Sequence, residues 1–200
     1  MKKILTIDGG GIKGVFPASL LASFEEVVGG PIGKYFDLIV GTSTGGIIAL
    51  GLGLGYSAKE INEFYHQYGP IIFEKKQEPI SRKLNFILNL AYRIPCLSKK
   101  LNNLGSLEEI KAIAAHGFLD TRYDYKPLEK ALKDLFGERK IGESITRLVI
   151  PSFNVLTGKV HVYKTRHHFR FEHDYKIPAY EAALATAAAP IYFPVYKSNA

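Results

Sequence analysis

The 200-residue sequence predicts an α/β fold, a three-layer sandwich around a largely parallel sheet. Two observations lead there. Short apolar runs alternate with longer segments whose apolar residues recur at helical spacing. The first two of these runs each pass through a glycine-bearing turn into a helix, the strand–helix alternation that builds parallel sheets.

The elements follow in order. Lys3 to Ile7 reads as a short buried strand, then a glycine loop, then a helix over Val15 to Val28. Pro17 stands in its first turn, where a missing N–H is harmless, and Gly29, Gly30 and Pro31 end it. Phe36 to Val40 is a second strand, followed by Gly-Thr-Ser-Thr-Gly and an apolar helix of small residues. Ser57-Ala58-Lys59-Glu60 spells a capping box for the next helix, with Ile61, Phe64, Tyr65 and Tyr68 along one face. Lys126 to Phe136 repeats that pattern through Leu128, Ala131, Leu132 and Leu135, and Gly137 closes it. Arg147 to Val155 and Lys159 to Lys164 read as a hairpin turning at Thr157-Gly158. The alanine-rich stretch from Pro178 to Ala189 is helical and stops at Pro190.

With 46% hydrophobic and 22% charged residues, the chain can bury one sizeable core, and residues 1–200 read as one domain. Cys96 is the single cysteine, so no internal disulfide is available, and a reduced thiol in the cytoplasm is the plain reading. The apolar run after Met1-Lys2-Lys3 is too short for a signal-peptide core. No stretch approaches the roughly 18 apolar residues of a membrane span. Five of the seven net positive charges lie between Glu74 and Leu101, where Lys75, Lys76, Arg82, Lys83, Arg93, Lys99 and Lys100 face only Glu74 and Glu78. Interleaved apolar residues make the 75–100 segment a candidate for an anionic membrane surface; a solvated basic face is the plainer alternative. No nucleic-acid motif accompanies the charge.

Two glycine loops carry the chemistry. Gly41-Thr42-Ser43-Thr44-Gly45 is a G-x-S-x-G pentapeptide between a strand and a helix. Its glycines leave room for a strained turn that lifts the serine side chain, and the helix N-terminus beside it favours an oxyanion. A capping serine in a glycine turn is the structural alternative. Asp8-Gly9-Gly10-Gly11-Ile12-Lys13-Gly14 follows the first strand and exposes backbone N–H groups that can converge on an anion. Gly9-x-Gly11-x-x-Gly14 also fits the dinucleotide fingerprint, so this loop alone leaves a nucleotide-binding module open. A P-loop is excluded, because Val15 stands where lysine is needed.

Together the two loops, within the first 45 residues, resemble the patatin-like phospholipase family. There Asp-Gly-Gly-Gly-x-Lys/Arg-Gly precedes Gly-x-Ser-x-Gly at about this interval. The run from Ala185 to Pro194 (ATAAAPIYFP) resembles the family's Thr-Ser-Ala-Ala-Pro-x-Tyr-Phe block, with Ala187 where serine is usual. The resemblance implies a lipid acyl hydrolase acting on membrane or micellar lipid, with no cofactor and no metal. Ser43 would be the nucleophile, Gly9 to Gly14 the oxyanion loop, and Gly41, Thr42, Thr44 and Gly45 the elbow. Family members use a Ser–Asp dyad whose aspartate sits in an Asp-Gly-Gly or Asp-Gly-Ala motif shortly after the Pro-x-Tyr-Phe block. No Asp-Gly pair follows residue 45, so the expectation is a C-terminally incomplete domain with its base beyond residue 200. His161, His167, His168 and His173 read as surface histidines near the hairpin, and Asp120, Asp124 and Asp174 as loop or capping carboxylates. A regulatory partner is not legible.

Overall fold

A computed structural model describes residues 1–75 and 121–198. The basic segment from Lys76 onward, Cys96 and Asp120 lie outside the described residues. Among the described residues, four strands form one sheet in the order β1 (Ile4–Ile7), β2 (Leu38–Gly41), β3 (Arg147–Asn154) and β4 (Lys159–Lys164). The first three run parallel and the last is antiparallel, so the sheet is largely parallel as expected. Register places Ile7 beside Gly41, Leu5 beside Ile39, and Ile39 beside Leu148. β2 begins two residues later than its apolar run. Asp37 turns its carboxylate back onto the Lys2 ammonium and the Lys3 N–H instead of extending the strand.

Five helices accompany the sheet among the described residues: α1 (Val15–Val28), α2 (Thr44–Gly53), α3 (Ala58–Ile72), α4 (Tyr125–Phe136) and α5 (Ala179–Ala187). α2 is buried along its whole length, which explains a sequence apolar on every side. It lies on β1, β2 and β3, so close that a Cβ on Gly53 would fall 2.7 Å from Leu148. α5 packs beside it on β3, with α3 and α4 outside. Ile7, Ile39, Leu148 and Ile150 form the sheet side of the core. The Ser57–Glu60 capping box is made in full, and Ile61, Phe64 and Tyr65 are buried beneath it. Asp124 caps α4, accepting the Lys126 N–H. α1 spans the expected residues and ends on Gly29 in the left-handed conformation, φ 73°. Among the described residues no helix is long and apolar enough to cross a membrane.

Candidate active site

The C-terminal ends of β1 and β2 lie side by side, so the turns that leave them meet. Ser43 occupies the turn between β2 and α2 with φ 54° and ψ −126°, a region that non-glycine residues rarely enter. Backbone strain of this kind costs about 1–3 kcal/mol and persists only where neighbours over-determine it. Those neighbours are specific. A Cβ on Gly41 would fall 2.2 Å from the Gly45 carbonyl oxygen, and one on Gly45 would fall 2.2 Å from the Ile7 carbonyl oxygen. The pentapeptide glycines are therefore required by close backbone approach, as its pattern predicts.

Four hydrogen bonds fasten the turn. The Thr42 N–H donates to the Ile7 carbonyl at 3.2 Å, tying the elbow to β1. The Ser43 N–H donates to Thr186 Oγ1 at 2.9 Å, and that hydroxyl donates to the Pro151 carbonyl at 2.6 Å. The Tyr65 hydroxyl donates to the Thr44 carbonyl at 2.9 Å from full burial, which also pushes its phenol well above the usual tyrosine range and keeps the donor protonated. Thr186 was not singled out by sequence. The signal was present: one hydroxyl inside the run Ala182-Ala183-Leu184-Ala185-Thr186-Ala187, where every neighbour is apolar.

The glycine loop lies against the serine. A Cβ on Gly9 would stand 2.7 Å from Ser43 Cβ and 3.4 Å from its Oγ, so only a bare backbone fits there. The Gly10 N–H donates to Thr44 Oγ1 at 3.0 Å, locking loop to elbow. Gly11 opens a single 3-10 turn, Gly11–Gly14, with φ 59°, a conformation that glycine adopts without penalty. Ile12 and Lys13 are exposed, with the Ile12 side chain lying over Gly69 of α3, while Gly14 is buried against Tyr65 and Thr44. The six loop residues and the five elbow residues are thus brought together in one place. β2 ends at Gly41 with no acidic residue at its tip, which leaves the dinucleotide reading without its ribose ligand.

The other polar residues sit elsewhere. Ser43 Oγ makes no hydrogen bond among the described residues. Asp174 is not the simple loop carboxylate expected: it is 8% exposed, 2.7 Å from the Lys164 ammonium and 3.4 Å from His161 Nε2. Folding the Asp174–Lys176 turn over the edge strand β4 is what buries it. His167 and His168 follow β4 and do not alternate across a strand; both rings contact Phe171.

A strand–glycine loop–helix thus stands beside a strand–serine turn–helix at one end of the sheet. Comparison with known proteins makes this specific: residues 5–200 match the model of the patatin-like phospholipase family, and the chain belongs to that family. It is 36% identical over 199 residues to a cGAMP-activated phospholipase of Vibrio cholerae, covering 96% of this chain and 49% of that protein. A protein of the same description from Pseudomonas aeruginosa is 33% identical over 196 residues, covering 98% and 49%. Patatin-17 of Solanum cardiophyllum is 29% identical over 208 residues, covering 97% and 44%. The chain thus spans about half the length of the curated relatives it matches. Among solved structures, VipD from Legionella pneumophila superposes with a TM-score of 0.50 at 15% identity, covering 99% of this chain and 44% of that one, a likeness of fold.

Proposed function

We propose that this chain is the nucleophile-bearing part of a lipid acyl hydrolase of the phospholipase A type, cleaving fatty-acyl esters of glycerolipids through an acyl-enzyme on Ser43. The observation that carries the reading is the strained Ser43, φ 54°, with the bare backbone of Gly9 packed against its side chain. A hydroxyl held clear of its own backbone, beside N–H groups and the start of α2, suits acyl transfer.

Ser43 Oγ bonds to the acyl carbon as its proton passes to a carboxylate base, and the carbonyl electron pair becomes an oxyanion. Backbone N–H groups of the Gly9–Gly11 loop and the positive end of α2 stabilise that oxygen. Collapse of the intermediate breaks the acyl–oxygen bond and releases the lysolipid alcohol, which takes up the proton. Water then hydrolyses the ester on Ser43 by the same steps. The base, by family resemblance, is an aspartate beyond residue 200 that acts on the serine without a histidine. The substrate arrives as a membrane or micelle.

Ser43→Ala in the full-length protein is expected to abolish hydrolysis of a p-nitrophenyl acyl ester and labelling by a fluorophosphonate probe. Alanine meets the same backbone strain as serine, so the melting temperature should stay near that of the parent. Hydrolysis retained by Ser43→Ala would overturn the assignment.

A further inference from the structure

The sheet has a second functional-looking end. At the N-terminal ends of β2 and β3 a cleft of about 550 Å³ opens between Phe36-Asp37, the segment leading into Arg147, and Thr165 to His167, with Tyr175 as a wall. Its volume is within the range of small-molecule sites, roughly 300–1,000 Å³. β2 separates it from Ser43 by four residues, about 13 Å at ~3.3 Å per residue. It is not part of the acyl site.

The charge lining this cleft is unbalanced. Arg147 and Arg166 both contribute to it, and neither forms an ion pair among the described residues. Asp37, its one acidic lining residue, accepts the Lys2 ammonium at 2.8 Å on one oxygen and the Lys3 N–H at 2.8 Å on the other, and Arg147 adds a weaker, through-space attraction to its carboxylate. The Arg166 guanidinium lies 5.5 Å from the Tyr175 ring centroid, within cation–π range of the wall of the cleft. Thr165 Oγ1 accepts the Leu148 N–H at 3.1 Å and stands 3.2 Å from His167 Nδ1. Burial, and after it the positive field of Arg147, hold His167 below the usual histidine range, so two guanidiniums carry the charge near neutral pH.

We propose that this cleft binds a small phosphate-bearing ligand, its oxyanion held between Arg147 and Arg166 and its body against the rings of Tyr175 and Phe36. Two guanidinium forks carry two positive charges, which match the near-double charge and three terminal oxygens of a phosphate better than the single charge of one carboxylate. The reading is independent of the chemistry at Ser43.

The test is calorimetric titration of the full-length protein with sodium pyrophosphate, in parent, Arg147→Gln, Arg166→Gln and Lys130→Gln forms. Lys130 is an exposed residue of α4, distant in sequence from the cleft. The expected result is saturable binding in the parent and Lys130→Gln, weakened roughly tenfold or more by either arginine variant. Arg147→Lys, which keeps the charge and loses the fork, should fall between. Hydrolysis of a soluble ester should be unchanged in all of them, which shows the variants to be folded. Vesicles of phosphatidylcholine carrying phosphatidic acid separate the sources. Vesicle binding that needs both arginines and is displaced by pyrophosphate marks a lipid headgroup; arginine-dependent binding of pyrophosphate alone marks a free phosphate ligand. Absence of saturable binding, or binding that ignores both arginines, overturns the proposal.

Discussion

Thr186 stands 143 residues from Ser43 along the chain and one hydrogen bond from it in space. Its hydroxyl accepts the serine N–H and donates to the Pro151 carbonyl, so one side chain ties the elbow to the middle of β3. The strained φ of Ser43 is held partly by that link. Thr186→Val keeps the shape and the methyl that faces Gly46, and removes both bonds. Losing a buried hydrogen-bond partner costs about 1–3 kcal/mol, so kcat should fall roughly 10- to 100-fold. KM should change little, because Thr186 positions the proposed nucleophile. Fluorophosphonate labelling should slow in parallel, and Thr186→Ser should restore most of the rate. A Thr186→Val protein with the parent's kcat would remove the residue from the site.

The elements were legible to different depths, and the reasons are physical. α1 was readable to the residue because Pro17 and Gly29 punctuate it, and the capping box of α3 because all its bonds lie between Ser57 and Glu60, three residues apart. The start of β2 was misplaced by two residues because Phe36 satisfies strand propensity while Asp37 answers a longer-range pull from Lys2 and Lys3. The two glycine loops were found because close backbone approach leaves glycine no substitute, whereas Thr186 acts through a contact with no local pattern. Asp174 escaped for the same reason: its burial depends on how a turn crosses β4. The box at Ser57 carries its own prediction. The Ser57 hydroxyl accepts the Glu60 N–H at 3.2 Å, and Ser57→Ala leaves that donor at the helix start without its cap. About 1 kcal/mol of stability should be lost, a fall in melting temperature of about 2–4 °C for a domain of this size. Ser57→Asp should recover it, measured by thermal denaturation, while ester hydrolysis stays at the parent's level; an unshifted melting temperature in Ser57→Ala would mean that α3 is held by packing alone.

At the scale of the molecule, the sheet separates two candidate sites. The serine turn and glycine loop stand at one end, and the arginine-lined cleft at the other. A third feature belongs to charge distribution: five of the seven net positive charges fall between Glu74 and Leu101. Each basic residue near an anionic bilayer contributes about 1 kcal/mol of attraction, and that attraction fades as the Debye length contracts from about 10 Å at 0.1 M salt to about 3 Å at 1 M. A patatin-like phospholipase that reaches its substrate on such a surface should therefore bind vesicles containing phosphatidylglycerol at 0.1 M salt, release them at 1 M, and ignore pure phosphatidylcholine. Replacing Lys75, Lys76, Lys99 and Lys100 together by glutamine should weaken co-sedimentation with the anionic vesicles by at least about tenfold. The same variant should hydrolyse a monomeric, soluble ester at the parent's rate, because none of the four positions belongs to the serine turn or its glycine loop. Binding that persists in 1 M salt, or that the four substitutions leave intact, would make the basic segment a solvated face and assign the lipid surface to apolar contacts instead.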